Sequence, residues 1–221
     1  MASLWRGMMP PHQGFLLALR LDILFEVVSA AFSLTIAVLS LSASRRLGSK
    51  TLLQLGLGFL LISAAMLFRS ISVAGLISIV WQLPRGAFFS QLFLTETLYS
   101  VLRIAGYIVF VHLYASYLGR TGEKASYMAQ IIAIYNPAFE TASAILLAFV
   151  VYRTGINWAS GRRPSSWTVF LGFTSLLASH LLFTLTNISF TFYLAGHFAQ
   201  LVSLSLFLLA VLLVRLNEKR V

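Results

Sequence analysis

The chain has 221 residues, of which 59% are hydrophobic and only 10% charged, whereas soluble domains carry roughly a quarter charged residues. Its formal net charge is +10, but the basic residues stand in short groups at the ends of apolar runs, a pattern of membrane topology rather than of a nucleic-acid-binding face. Cysteine is absent, which excludes disulfides, thiolate catalysis and cysteine-ligated metals or clusters.

Residues 1–14 form a head with Pro10 and Pro11 and no signal-cleavage pattern, so the first apolar run is expected to stay in the mature protein. That run goes from Phe15 to Ala43, carries Arg20, Asp22 and Glu26, and is closed by Arg45, Arg46 and Lys50. The second, Thr51 to Val80, carries Arg69 and ends in a loop from Trp81 to Gly86 that contains Pro84. The third, Leu92 to Leu118, carries Glu96, Arg103 and His112.

A linker over 120–136 follows, then a fourth run from Pro137 to Trp158, a fifth from Ser166 to Leu185 with His180, and a short turn from Thr186 to Ser189. The sixth, Phe190 to Val214, carries His197 and Gln200 and leads into a basic tail over 215–221. A helix crosses a hydrocarbon core with around 20 mostly apolar residues, and these runs lack the ten-residue alternation of a transmembrane barrel. The expected fold is an all-α, multi-pass helical bundle of the cell membrane with six or seven transmembrane helices.

The phrase FEVVSA at 25–30 returns as FETASA at 139–144, and at the same offset Leu57-Gly58-Phe59 falls on Leu171-Gly172-Phe173. This predicts two related three-helix repeats, 15–119 and 137–214. How they are oriented depends on the stretch from Ala125 to Asn136, which as a helix would rise only about 18 Å. If it does not cross, there are six spans and inverted halves. If it crosses, there are seven spans in a 3+1+3 plan with parallel halves, and basic residues collect on one side more completely. The second arrangement is favoured on charge and the first on length.

Charged groups inside a membrane are expensive and face the bundle interior or a water-filled cavity. Counted along the helices from the basic loops, Glu26, Arg69 and Arg103 lie at one depth, about 25–29 Å from the same end. A Glu26–Arg103 pair is expected, with Arg69 nearby and Asp22 and Glu96 as supporting acids. It can serve as a structural clasp or as a binding group for an anion or a proton, since two arginines around one glutamate leave positive charge to spare. In the second half, Glu140 takes the place of Glu26, His180 that of Met66, and Gln200 falls near the place of Arg103. His180 and His197 flank the short turn at similar depth. They can ligate a haem or a metal, relay protons, or simply bond neighbouring oxygens.

Several activities lose their chemical basis. No lysine lies in a long span to carry a retinal Schiff base, and neither HExxH, GxSxG nor a glycine-rich phosphate loop occurs. An enzyme is not expected, and nucleic acid is not an expected partner. No cofactor is expected apart from the haem option at His180 and His197.

The order of Glu26, Arg45-Arg46, Leu57-Gly58-Phe59 and Gly106-Tyr107 resembles that of uncharacterised polytopic membrane proteins of archaea, a resemblance that implies no activity. The repeat arrangement is similar to that of SWEET-type transporters at the level of topology. The expected function is a small permease or channel-like protein with a polar path between its repeats. Its partners would be the bilayer and a small solute, anion or proton, with a homo-oligomer or a larger membrane complex as further options. The alternatives are a non-catalytic membrane subunit or assembly factor, and a haem- or quinone-binding electron-transfer subunit.

Overall fold

The structure, a computed structural model, describes residues 13–115, 136–161, 164–186 and 189–218. They form six helices: α1 (Gln13–Leu47), α2 (Lys50–Ser78), α3 (Arg85–Ala115), α4 (Asn136–Gly161), α5 (Pro164–Thr184) and α6 (Phe190–Glu218). All six are long and apolar enough to cross a membrane, and the fold is an all-α bundle. The ambiguous stretch from Ala125 to Asn136 lies, apart from Asn136, outside the described residues.

Local chemistry sets the connections. Gly48 adopts a left-handed φ of 62°, which a glycine reaches without steric cost, and Ser49 caps α2 by accepting the Leu52 amide at 3.4 Å. Two residues therefore suffice to turn α1 back along α2. One boundary differs from expectation. α3 begins at Arg85, seven residues before the apolar run, because Pro84 closes the preceding turn and its carbonyl accepts the Phe88 amide at 3.0 Å. A proline at a helix start loses no intrahelical hydrogen bond.

The helices close into a ring in chain order, with α1 also packed against α6. Small residues allow the close approaches: a Cβ at Gly56 would stand 3.2 Å from the Ala37 carbonyl of α1, and one at Gly106 would stand 3.1 Å from the Gly58 carbonyl of α2. Ser63 of α2 donates to the Ala30 carbonyl of α1 at 3.0 Å. Large apolar side chains such as Leu24, Ile71, Phe93, Ile145, Phe198 and Leu216 point outward and stay exposed, as a lipid-facing surface requires.

The contacts also give helix direction. Along α3, Tyr107 meets His180 of α5 while Phe110 and Tyr114 meet Phe173, so α3 and α5 are antiparallel. Within the second half, Glu140 of α4 meets His180 near the end of α5 and Gly155 meets Phe170 near its start, so α4 and α5 are antiparallel too. Hence α3 and α4 run the same way. The two halves are parallel rather than inverted, and Ala115 and Asn136 stand at opposite ends of the bundle.

At mid-height four phenylalanines, all fully buried, meet in a closed circuit: Phe59–Phe110 at 5.1 Å, Phe110–Phe173 at 5.3 Å, Phe173–Phe207 at 4.6 Å and Phe207–Phe59 at 4.9 Å between ring centroids. Such tilted and edge-to-face pairs are favourable beyond their apolar burial. Gly58 seats the Phe110 ring and Gly172 seats the Phe207 ring. Each half thus builds the same glycine-and-ring contact from its second and third helices.

Candidate functional site: a charged chamber at one end of the bundle

Two cavities lie at opposite ends of the ring, and on α2, α3, α5 and α6 the four phenylalanines fall between them in the chain. The smaller, of about 220 Å³, is lined by apolar and neutral polar groups such as Thr51, Leu113, Thr154, Asn157 and Val211. The larger, of about 430 Å³, is lined by Asp22, Glu26, Arg69, Glu96, Arg103, Glu140 and His197, with Tyr99, Phe183 and Tyr193 among their neighbours. Four of the six acidic residues of the whole chain border this one space.

Arg69 is held by three carboxylates. It pairs with Asp22, lies 3.5 Å from Glu26, and approaches Glu96 at 2.7 Å through Nη2 and 2.9 Å through Nε. Asp22 and Glu96 are therefore its direct partners rather than distant supports. Asp22 also accepts from the Tyr193 hydroxyl and has the His197 Nε2 at 3.1 Å. His197 stacks on Phe25 at 4.9 Å, which fixes the ring between α1 and α6.

The expected Glu26–Arg103 pair does not form. Arg103 instead pairs with Glu140 of the second half and donates to the Tyr99 hydroxyl at 3.1 Å, while that hydroxyl donates to Glu26 Oε1 at 2.9 Å. The depth of both groups is as counted; what intervenes is Tyr99, one helical turn before Arg103 on the same face of α3. On the far side, Glu140 Oε2 meets His180 Nδ1 at 2.6 Å, and His180 Nε2 meets the Tyr107 hydroxyl at 2.7 Å. A continuous polar chain thus runs from Asp22 through Arg69, Glu26, Tyr99, Arg103, Glu140 and His180 to Tyr107. It passes from the first half to the second at Arg103–Glu140.

His180 and His197 do come to similar depth, but His180 bonds Glu140 while His197 approaches Asp22 at 3.1 Å without a hydrogen bond from either ring nitrogen, and the ring of Phe183 packs against both at 6.3 and 4.9 Å. Among the described residues no three histidine or acidic groups are grouped to hold a metal ion. Asp22 and Glu96 offset the surplus of positive charge, and with Glu26 and Glu140 four acids face two arginines. Gln200 is buried one turn deeper than His197, and its Nε2 has no hydrogen-bond partner among the described residues. Glu26 Oε2 and Arg103 Nε are likewise buried without a partner.

Sequence reasoning missed Tyr99, Tyr107, Tyr193 and Phe183. The first two carried a signal, since Tyr99, Arg103 and Tyr107 recur every four residues along one face of α3. Tyr193 precedes His197 by the same interval. No family model matches the chain, and no curated protein or solved structure does so either.

Proposed function

We propose that the chain is a small permease built from two related parallel halves, with its solute path running along the axis of the six-helix ring. The observation that carries this reading is the arrangement of two cavities at opposite ends with the circuit of Phe59, Phe110, Phe173 and Phe207 between them. A purely structural bundle has no need to keep a cavity of about 430 Å³ among buried charges, where each unpaired ion costs several kcal/mol. A carrier needs such a chamber on one side of a closed constriction.

The repeated FEVVSA and FETASA phrases and the paired glycine–phenylalanine seats support a duplication. Parallel repeats of three helices are the arrangement that goes with the reading of seven crossings. Arg45, Arg46, Lys50, Arg153 and Arg215 gather at the end away from the charged chamber. By the bias of basic residues toward the cytoplasm, that end faces inward, and the chamber opens to the outside of the cell membrane.

The test is osmotic swelling of proteoliposomes in gradients of small polar solutes, with glycerol, urea, glycine and methylammonium chloride as probes. The wild type is expected to admit at least one of them. Phe207→Ala, which removes one ring of the constriction, should admit it faster. Empty-liposome rates for all four probes in both proteins would sink the reading.

A further inference from the structure

We infer that the charged chamber recognises a solute through an ammonium group. The inference rests on the permease reading for its purpose but on the geometry of the chamber for its chemistry.

The charge count comes first. Asp22 and Glu26 on α1, Glu96 on α3 and Glu140 on α4 supply four carboxylates, and Arg69 on α2 and Arg103 on α3 supply two guanidinium groups. The remaining ionisable groups of this cluster are the imidazoles of His180 on α5 and His197 on α6 and the phenols of Tyr99, Tyr107 and Tyr193. With both imidazoles neutral, two negative charges stay uncompensated; with both protonated, the site reaches neutrality and no further. At no protonation of the histidines does positive charge remain for an anion. Arg69 is enclosed by three carboxylates and Arg103 by Glu140 and Tyr99.

The second observation concerns one atom. Glu26 is 3% exposed and borders the cavity; its Oε1 accepts from Tyr99, while its Oε2 has no partner. A buried carboxylate oxygen left in this way is costly unless a donor completes it. For the ionised carboxylate the missing partner is a hydrogen-bond donor, and the charge balance makes a cationic donor the favoured one. The rings of Phe183 and Tyr193 border the same space, and aromatic faces attract ammonium groups. A cavity of about 430 Å³ lies in the lower part of the range of ligand pockets, which leaves room for a small amine or an amino acid.

The same ammonium can belong to a simple amine or to a zwitterion. Arg103 lines the chamber and its Nε is a buried donor without a partner, and the Tyr99 hydroxyl bridges Arg103 to Glu26. A zwitterion can place its carboxylate toward Arg103 while its ammonium meets Glu26.

The experiment is equilibrium binding of radiolabelled methylammonium, glycine, acetate and glycerol to the purified full-length protein in detergent, with thermal unfolding of the ligand-free protein recorded in parallel. Methylammonium and glycine should bind and acetate and glycerol should not; tighter binding of glycine would assign the zwitterion and tighter binding of methylammonium the amine. Glu26→Gln, which keeps the shape and still accepts from Tyr99, should weaken binding at least tenfold. Glu96→Gln removes an equal charge but leaves Glu26 Oε2 intact, and should weaken it less. If Glu26→Gln unfolds at lower temperature, Glu96→Gln with competition between the four probes on the wild type decides.

Binding of acetate or glycerol as tight as that of methylammonium, or no binding by any probe, overturns the inference. Swelling with glycerol or urea but no amine binding would overturn it and leave the permease standing. Amine binding without solute movement would do the reverse.

Discussion

Arg103 of the first half binds Glu140 of the second, at the position where the first half itself carries Glu26. Both side chains are largely buried, and breaking a buried pair from one side leaves the other charge uncompensated, typically at a cost of about 3–5 kcal/mol. Arg103→Gln alone is therefore expected to lower the unfolding midpoint in detergent strongly. The double variant Arg103→Gln with Glu140→Gln should recover part of that loss, because it leaves an amide pair instead of a stranded ion. A double variant whose loss equals the sum of the two single losses would show that the two residues do not act on each other.

His180 closes the same chain at its far end. Replacing it with leucine strands Glu140 Oε2 and the Tyr107 hydroxyl, which bond its two nitrogens, and each unsatisfied buried group costs about 1–3 kcal/mol. His180→Leu should destabilise the protein accordingly, whereas His180→Gln, able to restore one bond, should cost less. Equal unfolding midpoints for wild type and leucine variant would contradict this account.

The glycines of the constriction should respond unequally. A methyl at Gly58 would overlap the fully buried Phe110 ring, while one at Gly172 would stand 3.0 Å from the Phe207 ring. Overpacking of a filled core costs about 1–3 kcal/mol. Gly58→Ala is expected at the upper end of that range and Gly172→Ala at the lower. Gly75→Ala meets nothing within 4 Å and should be neutral or slightly stabilising, since alanine favours the helix by up to about 1 kcal/mol. Thermal unfolding of the three variants gives the order.

The direction of the second half is accessible to labelling, because the chain has no cysteine to interfere. Ser49 precedes α2 and Ser165 lies in the first turn of α5, and both stand at the end of the bundle with the smaller cavity. Ser49→Cys and Ser165→Cys should react with an impermeant thiol reagent from the same side. Gln82→Cys, in the exposed turn before α3, should react from the other. Losing the Ser49 cap costs about 1 kcal/mol, which the fold should tolerate. Opposite labelling of Ser49→Cys and Ser165→Cys would contradict the parallel halves.

Much of the site was legible because depth along a helix is arithmetic. At 1.5 Å per residue, counting from the basic loops brings Glu26, Arg69 and Arg103 to one level, and the structure has them there around one chamber. Which group each of them meets was not legible. Partner choice depends on the rotation of each helix and on residues between the charges, and Tyr99 separates Glu26 from Arg103 for that reason. Nor did counting reveal that Asp22 and Glu96 would converge on Arg69, since they approach it from two different helices.

The amino-acid sequence by itself determined the class of fold, the six long apolar runs and the heights of the polar groups, because hydrophobic length and helical rise are local properties of the chain. The tertiary structure alone decided that α3 and α4 run the same way, that Arg103 crosses to Glu140, and that four phenylalanines close the space between two cavities. Those relations depend on how helices distant in the chain are turned toward one another, and the packing of six of them into one ring settles that only when all are present.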